Sequence, residues 1–200
     1  FFHKRKISIL DTLYKFVQKR KTNMAESNKR QKTKMIIENA MVDLLKHESF
    51  DQISTVKLTK TAGISRSSFY THYKDKYDMI EHYQQKLFHK LEYIFEKYAQ
   101  DKRSAIIEVF DFLTRESLLS ALLTENGTKE IQTFLRHKFQ IMLAEDLQER
   151  FSSKLLSQVE KEYSYVYLTN AFFGVCQMWI ARGKKESPEQ MADFLLKMLD

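Results

Sequence analysis

Four glycines and one proline punctuate the 200 residues of this chain. A fold built on many β-turns needs far more of both, because turns draw on residues that accept a positive φ or arrive with φ already fixed. Long runs of good helix formers fill the space between the few breaks. Hydrophobic residues make up 43% of the chain, enough for a sizeable core. The reading is an all-α protein, one domain or a small domain joined to a larger one.

The breaks organise the chain into helices. Residues 1–23 read as a basic N-terminal extension in which Ile9, Leu13, Phe16 and Val17 can share a helical face, with the globular part starting near Met24; a basic arm that touches nucleic acid or membrane is the alternative. The pairs Ile36/Ile37, Ala40/Met41 and Leu44/Leu45 recur every four residues and predict a helix over 32–47, buried on one side. Ser54 or Thr55 can cap a short second helix that turns Leu58 and Ala62 inward and ends at Gly63. Ser65 can cap a third, over 66–72, and Asp75 a long fourth striped with Ile80, Tyr83, Leu87, Leu91, Ile94 and Tyr98. Further helices are predicted over 103–118, 128–150 and 156–182, with breaks at Asn126-Gly127 and Gly183. Ser187, Pro188 and Gln190 form the start signal of the last helix, whose apolar face is Met191, Leu195 and Met198.

Charge is unevenly spread. Residues 1–100 carry 20 Lys+Arg and 11 Asp+Glu, while residues 101–200 carry 13 and 15. A basic half joined to a slightly acidic one points to a polyanion as the partner of the first half. The single cysteine, Cys176, permits no intrachain disulfide and fits a cytoplasmic protein; in the run FFGVCQMWI it reads as a buried thiol. No uninterrupted apolar stretch is long enough to span a bilayer, so no membrane partner is expected.

The stretch TKTAGISRSSFYTHYKDKYDM, residues 59–79, carries the functional signal. Two short helices on either side of a tight glycine turn make a helix-turn-helix, whose second helix enters the major groove of DNA with its N-terminal residues against base edges. Ser65, Ser67 and Ser68 are small enough for close approach and can donate or accept. Arg66 can bind guanine O6 and N7 in bidentate fashion, or serve a phosphate. Phe69 anchors the helix inward. Tyr70, Thr71, His72 and Lys76, with Ser54 and Thr55 at the start of the first helix of the pair, complete the expected DNA-contacting set.

Residues 54–76, STVKLTKTAGISRSSFYTHYKDK, resemble without a gap the signature of the TetR family of bacterial regulators, through Ser54, Leu58, Ala62, Gly63, Ile64, Ser65, Phe69, Tyr70, His72, Tyr73 and Lys76. Thr59 stands where the family usually has Ala, and Tyr73 where Phe is commoner. The stretch FFGVCQMWIARGKKESPEQMADFLLKML resembles the C-terminal segment of a branch of low-GC Gram-positive bacteria that includes regulators of dihydroxyacetone kinase. The resemblance implies a helix-turn-helix DNA-binding domain of three helices over 24–74 and a helical bundle for ligand binding and dimerisation over 75–200. It implies a homodimer on double-stranded DNA with a palindromic operator, a small-molecule effector, and repression as the common outcome. The last two helices pair with their copies in this family, which marks Tyr167, Phe172, Gly174, Trp179, Met191 and Leu195 as dimerisation residues; Trp179 can equally sit inside its own chain. The alternative is a TetR-like co-regulator that acts through protein partners without reading DNA sequence.

No cofactor, metal or catalytic role is expected. His72 has no Cys or His at ligand spacing, and Cys176 lacks a base and an oxyanion site. Tyr93, Phe95, Phe110, Phe112, Phe134, Phe139, Tyr163, Tyr167 and Phe172 either line a pocket between helices or simply pack the core.

Overall fold

The computed structural model describes residues 26–152 and 156–199, so the extension read over 1–23 lies outside the described residues. All regular structure among them is helical. Residues 26–45 form α1; α2 (Thr55–Thr61), α3 (Arg66–Tyr70), α4 (Lys76–Lys97), α5 (Lys102–Arg115), α6 (Ser117–Leu122), α7 (Lys129–Ser152), α8 (Gln158–Ala181) and α9 (Pro188–Leu199) follow. A single 3-10 turn, Phe50–Gln52, sits between α1 and α2. No described helix is long and apolar enough to cross a membrane.

Helices α1 to α3 make a head. In α1, Ile37, Ala40, Met41, Leu44 and Leu45 are buried, but Ile36 lies at the rim, 37% exposed, because it stands about 100° round the helix from Ile37. The helix also begins before residue 32, so the polar run 26–34 is helical. Leu58 and Phe69 are fully buried, with Ile53, Tyr73 and Met79 in the same core. Burying a Phe such as Phe69 stabilises the head by roughly 3 kcal/mol, most of what a five-residue helix needs to stay formed.

The body is built on α4, whose Met79, Ile80, Tyr83, Leu87, Leu91 and Ile94 are buried on one stripe. Helix α9 packs along α5, and α7 and α8 pack as a hairpin. The capping box at Ser187 forms as read: Ser187 N–H donates to Gln190 Oε1 and Gln190 N–H to Ser187 Oγ. Gly183, at φ 80°, closes α8, and Lys184 N–H reaches back to Trp179 O. Of the apolar face read for α9, Met191 and Leu195 are buried but Met198 is exposed.

The single helix predicted over 103–118 is two. The break falls at Glu116, φ −97° and ψ 79°, where tertiary contacts override local preference. Its carboxylate pairs with Lys90 and accepts from Tyr83 Oη, while Leu119 N–H donates to that same Tyr83 oxygen at 3.0 Å. Ser120 Oγ and Lys184 Nζ both donate to the carbonyl of Leu113, which the interrupted helix leaves unpaired. Burial, followed by the Glu116 charge, pushes the Tyr83 hydroxyl far above its ordinary pKa, so it stays a donor.

Candidate nucleic-acid interface

The helix-turn-helix is set by its caps. Ser54 Oγ accepts the Lys57 N–H at 3.2 Å and starts α2. At the other end Gly63, at φ 63°, lets Gly63 N–H bond Lys60 O and Ile64 N–H bond Thr59 O, the paired closure of a glycine-ended helix. Ser65 then caps α3 by accepting the Ser68 N–H at 3.1 Å. Phe69 is the one buried side chain of α3, so the rest of that helix stands on the surface.

The exposed residues of α3 divide into committed and free groups. Ser65 Oγ is shared between the Ser68 N–H and Ser67 Oγ, and Thr71 Oγ1 donates to Ser68 O. Arg66 is exposed and has no ion pair among the described residues. Tyr70 lies edge-on to Phe69 with half its surface in solvent. His72 is half-buried; desolvation, followed by the charges of Lys34 and Arg30, holds its pKa below the ordinary value, so at neutral pH the imidazole is uncharged.

An open groove of about 440 Å³ runs between α1 and α3, lined by Lys29, Arg30 and Thr33 on one side and Ser65, Ser68 and His72 on the other. Lys29 and Arg30 were not among the residues expected to contact DNA. Their signal was the spacing of Lys29, Arg30, Thr33 and Lys34, which share a face only if the helix starts before residue 32.

Lys76 is a correction. Its ammonium does not face outward: the residue is 8% exposed, and Nζ donates to Phe50 O at 2.7 Å and to Asp51 O at 2.9 Å while resting 4.7 Å from the Phe50 ring centroid. Burial lowers its pKa. In this arrangement Lys76 ties α4 to the 3-10 turn, with two of its three N–H donors committed to backbone carbonyls. Ser54 is exposed and Thr55 half-buried at the start of α2.

The dimerisation set also divides. Tyr167 is 72% exposed and Gly174 is exposed on the same face of α8. Phe172, Trp179, Met191 and Leu195 are buried inside their own chain. Trp179 stands edge-on to Phe110 at 4.9 Å and donates from Nε1 to Glu186 O, and Phe172 packs on Phe139 at 4.9 Å. What α8 leaves uncovered is a stripe of Val159, Tyr163, Val166, Tyr167 and Met178, and on α9 Phe194 and Met198 are exposed as well. Of the aromatic residues weighed as pocket lining, Phe110, Phe112, Phe139 and Phe172 are core, whereas Tyr93, Tyr163 and Tyr167 are turned outward.

A TetR family model, described as a transcriptional regulator C-terminal region, matches residues 100–200. Among solved structures, the dihydroxyacetone kinase operon activator DhaS is 21% identical and superposes with a TM-score of 0.55 over 84% of this chain and 93% of its own. A TetR transcriptional regulator from Streptococcus agalactiae 2603V is 22% identical, with a TM-score of 0.58 over 88% and 98%. The fatty acid degradation regulator FadR from Bacillus halodurans is 14% identical, with a TM-score of 0.63 over 84% and 94%. At these identities the structural likeness speaks for the fold. No curated protein sequence matches.

Proposed function

Because the chain belongs to the TetR family of transcriptional regulators, we propose that it is a ligand-responsive repressor that binds a palindromic operator as a homodimer. Each protomer lays α3 in a major groove, with the two half-sites about one helical turn, roughly 34–36 Å, apart. The observation that carries this reading is the surface of α3: the Arg66 guanidinium, with no ion pair among the described residues, stands with Ser68 and Tyr70 on a helix whose buried residue is Phe69. Arg66 reads a base edge, Tyr70 donates to the backbone, and Ser65, Ser67, Thr71, Ser54 and Thr55 shape the close approach. His72 faces the groove beside Lys29 and Arg30, which supply phosphate contacts in place of Lys76.

The dimer forms through the uncovered stripe of α8 with Phe194 and Met198 of α9. A stable dimer buries about 800 Å² on each partner, and the exposed large apolar side chains of the two helices offer surface toward that scale. Gly174, in the middle of the stripe with nothing within 4 Å of a Cβ placed there, lets a second helix approach closely. An effector acts by favouring a conformation in which the two heads are wrongly spaced. A related FadR from Bacillus subtilis was solved with stearoyl-CoA, and NalD is a repressor, which supports a ligand-responsive repressor here.

The test is binding to a duplex obtained by selection from random sequence, followed over a salt series. A repressor of this kind protects an inverted repeat, loses affinity steeply as salt rises, and lowers transcription from a promoter that carries the repeat. Weak binding without sequence preference would replace this reading with that of a co-regulator acting through protein partners.

A further inference from the structure

A second connection between head and body runs through the loop from α6 to α7, residues 123–128. The loop closes tightly on itself: Gly127 N–H donates to Thr124 O, and a Cβ at Gly127 would lie 1.8 Å from the Leu122 carbonyl oxygen, so no side chain fits there. The body grips the loop twice. Gln132 of α7 donates from Nε2 to Thr124 O at 3.0 Å, and Gln177 of α8 donates from Nε2 to Leu123 O at 2.7 Å.

The loop grips the head through one residue. Asn126 Nδ2 donates to Leu45 O at 2.9 Å, the carbonyl that ends α1, and the Asn126 carbonyl accepts the Phe50 N–H at 2.8 Å. Asn126 thus holds both ends of the short connection after α1. On the far side of that turn, the Lys76 ammonium holds Phe50 O and Asp51 O and so joins the same point to α4. Beside the contact opens a cleft of about 900 Å³, with Leu45, Ser49 and Asp51 of the head on one wall and Gln132 and Gln177 of the body on the other. The clasp therefore runs along the edge of a gap between head and body.

We propose that Asn126 is the positioning residue that sets the angle of the reading head against α8, by a route that does not pass along α4. Gln177 is the other end of this link, and it stands next to Met178 and three residues beyond Gly174 on the stripe assigned to the dimer contact. The arrangement of α8 is thereby passed to the end of α1 through two side-chain amides. This inference rests on the reading of the protein as a dimer that engages two half-sites.

The experiment compares wild type, Asn126→Ala and Gln177→Ala on selected duplexes that carry both half-sites or one. Each variant should lose about fivefold in affinity for the two-site duplex, the scale of one neutral hydrogen bond, and nothing for the single half-site. Gln177→Ala removes a hydrogen bond to the loop and none to the head, so it serves where Asn126→Ala harms folding. Nitroxides at Lys60→Cys in the head and Lys185→Cys in the body, diluted with unlabelled protein, should give a broader distance distribution in both variants; Cys176 is fully buried and does not take label. Equal weakening on both duplexes, no weakening, or an unchanged distance distribution overturns the proposal. A wild-type protein that does not prefer two half-sites would instead sink the dimeric-operator reading, and the distance measurement within one chain would still judge the clasp.

Discussion

Arg66 and Lys76 show how far residue type alone can carry a functional assignment. Both are cations in the segment that resembles a DNA-binding signature, yet one is exposed with no ion pair among the described residues and the other is bonded to two backbone carbonyls. Arg66→Ala should relax selectivity at one base pair of the half-site at a cost of about 1–3 kcal/mol, read by competition among operator variants. Lys76→Met should lower stability by about 1–3 kcal/mol in denaturant titrations, because it removes the side-chain donor shared by Phe50 O and Asp51 O and leaves Phe50 O with only the Ile53 N–H, and it should leave the salt dependence of binding unchanged. The contrast could not be read from the sequence: burial of Lys76 depends on where residues 50 and 51 arrive, and nothing within a few positions of Lys76 encodes that.

Among the elements, those bounded by local chemistry were legible and those bounded by tertiary contact were not. Gly63, Ser65, Asp75, Gly183 and the Ser187 box act over three or four residues, and each ends or starts a helix as its type requires. The division of 102–122 into α5 and α6 was invisible, because the groups that hold Glu116 out of a helix, Tyr83 and Lys90, come from α4. The same limit misled the assignment of Phe172, Trp179, Met191 and Leu195. An apolar residue on α8 or α9 has both an inner and an outer use, and only the packing on Phe110 and Phe139 distinguishes them. A prediction belongs at this scale. Gly63→Ala should destabilise the protein by about 1–2 kcal/mol, since its φ of 63° is one that a side chain resists, although the space around it is empty. Thermal unfolding monitored by circular dichroism checks the size of the effect.

At the scale of the whole molecule, the stripe on α8 and α9 and the surface of α3 lie on different helices and need each other only if two copies act together. Tyr167→Asp places a charge in the middle of the stripe, away from the core. It should turn a dimer into a monomer in sedimentation velocity, leave the helical content unchanged, and reduce operator binding to that of a single half-site. A variant that stays dimeric would move the interface elsewhere on the surface.

The hydroxyls of α3 have one more consequence. Ser65, Ser67 and Thr71 are occupied with one another or with the backbone, which, with Tyr70 assigned to a phosphate, leaves Arg66 and Ser68 as the groups at liberty to discriminate in the proposed complex. A wrong letter is penalised by only about 1–3 kcal/mol, whereas a chromosome offers on the order of a million or more incorrect addresses. So short a vocabulary in one recognition helix cannot single out a gene. If two copies act together as proposed, the missing information comes from the ruler between them, and mutations that alter that ruler should mis-target the protein more severely than any exchange of a base-reading side chain.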